Sequence, residues 1–168
     1  SSTGNLNALI YYGLLPIIYV ISILPFFLLY LFSDFLYMLV FYVFGYRKKV
    51  VFKNLRNSFP EKSEAEISKI AKGFYHQFCD FIVESIKSLT ISANAIKKRC
   101  RFQNPDYLQA IINQNKSLIG VLGHYGNWEW AAPSFSLSFG LPLYVVYNPL
   151  SNKYFDELML KTRSKFGP

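Results

Sequence analysis

The chain has 168 residues, is 52% hydrophobic and 18% aromatic, and yet carries a net charge of +8. Its length suits about one domain, and its apolar content is unusual for a soluble one. Cys79 and Cys100 are too few and too isolated for a disulfide framework or a cysteine metal site. The basic residues are dispersed and accompany no nucleic-acid motif, so nucleic acid is not an expected partner.

The two characters are segregated along the chain. Asp34 is the sole charged residue before Arg47, so all 18 basic residues and nine of the 10 acidic ones lie beyond it. Residues 8–32 (ALIYYGLLPIIYVISILPFFLLYLF) form a nearly unbroken apolar run of 25 positions. As a helix rising ~1.5 Å per residue, that run exceeds the roughly 30 Å hydrocarbon core of a bilayer. Pro16 and Pro25 lie inside it, but membrane helices tolerate such breaks. No basic segment precedes the run and no small-residue cleavage site comes after it, so the pattern reads as a single retained anchor rather than a cleaved signal. Residues 34–46 (DFLYMLVFYVFGY) are apolar but too short to span alone. With Ser33-Asp34 as a helix start, they either lie in the interface or extend the anchor, and their tyrosines suit headgroup depth. Residues 1–46 thus read as a membrane anchor with an interfacial helix.

Arg47-Lys48-Lys49, Lys53 and Arg56 then arrive together. The positive-inside bias places the chain downstream of them in the cytoplasm, where the cysteines stay reduced and the charge is drawn to anionic headgroups. Residues 47–168 read as one cytoplasmic unit. After a turn at Ser58–Ser63, Ser63 and Glu66 form a capping-box pattern. Ile67, Ile70, Ala71, Phe74, Phe78, Phe81, Ile82 and Leu89 come next at helical spacing, predicting an amphipathic helix over residues 64–89. His76 and Glu84 ride on it and read as surface residues. Shorter helices are expected at 92–98 and 105–114. The cluster Lys97-Lys98-Arg99-Cys100-Arg101 is either a solvated face or a contact for lipid or a carrier protein.

Residues 117–123 (SLIGVLG) and 143–147 (LYVVY) have the length and apolarity of buried parallel strands, and residues 133–139 lie between them as a helix. This predicts a βαβ unit and an α/β fold class. A further helix over 152–166 would stop at Gly167-Pro168. Two parallel strands do not make a covered sheet, so the chain is expected to be the N-terminal part of a longer protein. The domain, and with it the site, would then be incomplete and inactive alone.

The first strand would deliver His124 to its carboxyl end, where functional groups gather in α/β sheets. Gly126 permits a tight turn or a close substrate approach. Asn127 either caps the next helix, which leaves Pro133 inside it, or belongs to a loop that ends at Pro133. An imidazole can take a proton from a hydroxyl at neutral pH, and a carboxylate such as Glu129 can orient it. Because the loop holds neither Ser nor Cys, direct attack by a substrate hydroxyl is favoured over a covalent intermediate.

His124-Tyr-Gly-Asn-Trp-Glu129 resembles the H-x4-D/E motif of glycerolipid-type acyltransferases. Its glutamate form, in an HxGNWE context, is similar to the lipid A biosynthesis lauroyl/myristoyl (late) acyltransferase family. The anchor running into residues 46–51, Asn54-Leu55-Arg56, and Phe59-Pro60-Glu61 agree with that family. So does Tyr147-Asn148-Pro149 with Asn152, Asp156, Arg163 and Gly167, and the likeness runs from about residue 8 to the end. The resemblance implies a glycerolipid-acyltransferase-like αβα core at the cytoplasmic face of the bacterial inner membrane. The implied reaction transfers a fatty acyl chain from acyl carrier protein to a hydroxyl of a lipid A precursor; the sequence itself shows no metal or organic cofactor signature. It implies His124 as general base and Glu129 as its charge-relay partner. Gly126, Asn127 and Trp128 would shape the loop, and Arg163 would either position phosphate or pair structurally. Another membrane glycolipid or aminolipid as acceptor, and a non-catalytic anchored module, stand as alternatives.

Overall fold

The computed structural model describes residues 2–114 and 117–166, so the expected helix stop at Gly167-Pro168 lies outside the described residues. Its helices are α1 (Ser2–Ile23), α2 (Phe26–Met38), α3 (Lys48–Ser58), α4 (Glu64–Lys87), α5 (Ala93–Arg99), α6 (Pro105–Ile112), α7 (Ala131–Phe139) and α8 (Lys153–Arg163). A π-helical turn, Leu39–Val43, extends α2, and 3-10 turns at Trp128–Trp130 and Ser164–Phe166 precede α7 and follow α8. The chain divides into two compact units. One is Ile23–Lys87, and the other combines Ser1–Ser22 with Ser88–Pro168.

The expected single anchor over residues 8–32 is divided at Pro25, which adopts an extended conformation ahead of α2. Proline lacks an N–H, and its ring crowds the carbonyl four residues earlier. Pro16 obeys the same chemistry yet stays inside α1. At the Pro25 break, Lys87 donates from Nζ to the Leu24 carbonyl at 2.8 Å. Two stretches, Asn5–Ile23 and Phe26–Val43, are therefore each long and apolar enough to cross a bilayer. Ser33-Asp34 starts no helix, since α2 runs through both and buries Ser33.

In the unit Ile23–Lys87, α4 packs on α2 and α3. Its capping box forms as expected. The Ser63 N–H donates to Glu66 at 2.9 Å, and the Glu66 N–H donates to the Ser63 hydroxyl at 3.4 Å. The Ser63 N–H bond, with the Ser63 hydroxyl donating to the same carboxylate at 2.8 Å, holds the Glu66 carboxyl below its ordinary range. The buried stripe is Ile67, Ala71, Tyr75, Cys79, Val83 and Lys87, one residue in four. The predicted stripe included Phe74, which is exposed. A 24-residue helix with apolar groups around much of its circumference offers two candidate faces, and packing against α2 and α3 selects the one through Ala71, Tyr75, Cys79 and Val83. The Tyr75 hydroxyl donates to the Tyr46 carbonyl and pins the turn into α3. In that turn, Gly45 and Arg47 both have positive φ. A polar seam links α2 to α4: Tyr30 donates to Glu84 at 2.6 Å, and His76 stands 2.7 Å from Asp34 and 3.3 Å from Asp80.

In the other unit, Ser92 caps α5 by accepting from the Ala95 N–H at 3.2 Å. Pro105 opens α6 at a position where no intrahelical donor is lost. Midway along α1, Tyr11 stacks on Tyr154 of α8 with ring centroids 5.4 Å apart.

The expected βαβ core is absent. Among the described residues there is no strand, and the fold is helical rather than α/β. Residues 117–123 and 143–147 are irregular and largely exposed, with Ile119 and Val121 each 92% exposed. Apolarity and length mark a segment that would suit a buried strand, but a strand exists only when a neighbour accepts and donates its ladder bonds. These two segments make no ladder with one another or with anything else described.

Candidate functional site

The loop bearing His124 begins tightly, with the Tyr125 N–H donating to the Gly123 carbonyl at 2.9 Å. Gly126 follows at φ +58°, in the left-handed region, and a Cβ there would meet nothing within 4 Å. The glycine thus answers a backbone demand and not a spatial one. Asn127 sits at the cap position of the 3-10 turn Trp128–Trp130, without a side-chain cap bond. Its carbonyl accepts from the Trp130 N–H at 3.2 Å. The 3-10 turn runs directly into α7, so Pro133 falls in the first turn of α7. Backbone N–H groups are orphaned in a first turn, so proline costs no bond there. Asn127 thus precedes a helical segment, as one alternative expects, while α7 begins at Ala131 and not at Pro133 as the other has it.

Trp130 anchors the loop. It is buried, and its indole N–H donates to the Ser88 hydroxyl at 2.9 Å. One residue back, Glu129 meets Arg163 at the end of α8 in a two-pronged pair. Nε donates to Oε2 at 3.0 Å and Nη2 to Oε1 at 2.6 Å. The Glu129 side chain is 13% exposed and that of Arg163 30%. The Glu129 bond pushes the Arg163 guanidinium further above its ordinary range, so the guanidinium stays charged at any working pH. It also lies 5.8 Å from the Tyr147 ring centroid. Beyond it, Lys165 donates to the carbonyls of Leu89 and Ile91 at 3.0 and 2.8 Å, fixing the segment that presents Arg163.

His124 is exposed, and its ring meets Trp128 edge-on with centroids 4.3 Å apart. It makes no pair with Glu129, whose carboxylate is occupied by Arg163. Six predicted site residues therefore form two groups. His124 and Trp128 touch, Glu129 and Arg163 touch, and Gly126 and Asn127 shape the turn between them. Of the two roles expected for Arg163, the structure displays pairing. Sequence reasoning missed the supporting residues Ser88, Trp130 and Lys165. An indole deep in an apolar stretch was the one available signal, since buried tryptophan N–H groups need an acceptor.

The loop thus carries one exposed imidazole and one carboxylate held by arginine, in a chain with two helices long and apolar enough to cross a bilayer. The model of a family described as bacterial lipid A biosynthesis acyltransferase matches residues 5–168, nearly the whole chain. The chain belongs to that family, and it is an acyltransferase of lipid A biosynthesis. Comparison with curated proteins and with solved structures returns no match.

Proposed function

We propose that this acyltransferase moves a fatty acyl chain from the thioester of acyl carrier protein to a hydroxyl of a lipid A precursor, at the cytoplasmic face of the inner membrane. His124 serves as general base. The acceptor hydroxyl loses its proton to the imidazole while its oxygen attacks the thioester carbon. The C–O ester bond forms, the C–S bond breaks, and the imidazolium returns the proton to the departing thiolate. Base assistance of this kind contributes about 10²–10⁴-fold. Glu129 lies in the same loop as His124, and Arg163 positions its carboxylate.

The observation that carries this reading is the contrast between the two motif residues. Glu129 is held by Arg163, whereas the His124 side chain is exposed, its ring edge-on against Trp128. Basic residues after the apolar helices, Arg47, Lys49 and Lys53, favour approach of a phosphorylated lipid and an acidic carrier protein.

The test is acyl transfer by the purified full-length protein in mixed micelles, with acyl carrier protein or coenzyme A as alternative donors. His124→Ala should reduce turnover about 10²–10⁴-fold with an unchanged thermal midpoint, because the ring is exposed. Turnover near that of the parent would refute the assignment. Equal use of the two donors would remove the carrier-protein specificity, and transfer to a phospholipid or aminolipid in preference to the lipid A precursor would replace the acceptor.

A further inference from the structure

We propose that α2 with its π-helical extension does not cross the bilayer but lies in its plane, docking the unit Ile23–Lys87 on one leaflet through a single apolar face. The inference rests on the membrane association of the two apolar helices and specifies its geometry.

Two faces of α2 differ sharply. Phe27, Leu31, Phe35, Met38 and Tyr42 are all exposed. Their spacing of four, four, three and four lines them up along one side of a helix. The opposite side, with Leu29 and Ser33, is buried, and Asp34, three residues after Leu31 and four before Met38, flanks the exposed stripe at the edge where the polar seam reaches α4. Asp34 is the ninth of the 18 residues in Phe26–Val43, so a spanning placement would put it at mid-bilayer. His76 and Asp80 would descend with it, because His76 lies 2.7 Å from Asp34 and 3.3 Å from Asp80. Asp34 and His76 are 54% and 49% exposed, so they would face hydrocarbon. Glu84, bonded to Tyr30, would follow them inward. Ionisable groups at that depth are tolerated when they face a protein interior or a water-filled cavity, which half-exposed side chains do not.

An in-plane orientation removes the conflict. The apolar stripe sinks to the boundary between headgroups and acyl chains, about 5–10 Å deep, and Asp34 on its flank, with His76 and Asp80 of α4, stays at headgroup level and not at mid-bilayer. Arg47, Lys49 and Lys53 are exposed just beyond the stripe, where anionic phospholipid headgroups complement them. The docking partner is thus a single leaflet containing anionic lipid.

Depth measurements on the full-length protein in phosphatidylethanolamine–phosphatidylglycerol vesicles test this. Nitroxide labels are placed singly through Phe27→Cys, Leu31→Cys, Phe35→Cys and Met38→Cys. The background carries Cys100→Ser and keeps Cys79, which is buried. These positions are exposed, so labelling disturbs no packing. Collisional accessibility to oxygen and to a water-soluble nickel reagent then gives depth. The expected result is one shallow depth for all four labels. A graded change of about 16 Å from residue 27 to residue 38, at ~1.5 Å per residue, would show a spanning helix and overturn the inference while leaving membrane association intact. Full nickel access at all four labels would overturn both. Shielding from both reagents would mean a protein partner on the stripe, and would overturn the inference as well.

Discussion

Replacing Arg163 by alanine probes the joint between the His124–Glu129 loop and α8. The variant leaves the Glu129 carboxylate, 13% exposed, without its two donors. A hydrogen bond to a charged group contributes about 1.5–3 kcal/mol, whereas exposed ion pairs contribute about 0.2–1 kcal/mol. With one partner mostly buried and the other 30% exposed, the loss should be about 2 kcal/mol. For a chain of this size that corresponds to roughly 4–8 °C in Tm. Glu129→Gln and the double variant complete a cycle, read by urea unfolding in detergent. The two substitutions should be coupled by about 1–2 kcal/mol, well above the ~0.5 kcal/mol scatter of independent sites. Acyl transfer measured on the same samples should fall in kcat more than it changes KM, because Arg163 acts through Glu129. Additive stabilities would show that the pair holds nothing. A KM effect alone would assign Arg163 to substrate binding.

Gly126→Ala should cost about 1–2 kcal/mol from backbone strain alone, because a Cβ at Gly126 meets open space. Gly126→Asn, which tolerates the left-handed region, should lose less, and thermal unfolding ranks the two. Lys87→Met removes the ammonium that caps the Leu24 carbonyl and should destabilise the unit Ile23–Lys87 by about 1–3 kcal/mol, read by hydrogen exchange at α2 and α4. Burial lowers the Lys87 pKa in the folded state. The unfolded chain therefore binds more protons between that value and the ordinary ~10.4, and stability gains from this residue as pH rises through that window. Lys87→Met should abolish the gain, seen by comparing urea midpoints at about pH 8 and about pH 10. Glu66 has the opposite origin, a carboxyl pKa lowered by the Ser63 bonds. Its contribution is present above the ordinary carboxylate range and is lost as pH falls through the lowered value. Ser63→Ala keeps the backbone bond and removes the hydroxyl one, so it should make that acid limb shallower without abolishing it in a urea titration.

Local rules were legible from residues alone. The capping box at Ser63 and Glu66, the amphipathic α4, Asn152 at the start of α8 and the positive φ at Gly126 come from what each side chain does to its own few neighbours. The family resemblance carried by the His124–Glu129 loop was legible for the same reason, since a contiguous motif needs no knowledge of distant contacts. Tertiary structure decided everything that depends on a partner. Residues 117–123 and 143–147 are apolar enough for strands, but ladder bonds belong to a pair of segments. Pro16 and Pro25 are the same residue type in one apolar run, and the helix ends only at Pro25, where Lys87 reaches the Leu24 carbonyl. Glu129 lies five residues from His124 but bonds to Arg163, 34 residues away. A carboxylate takes whichever cation the fold brings within reach, and sequence separation carries no information about that distance.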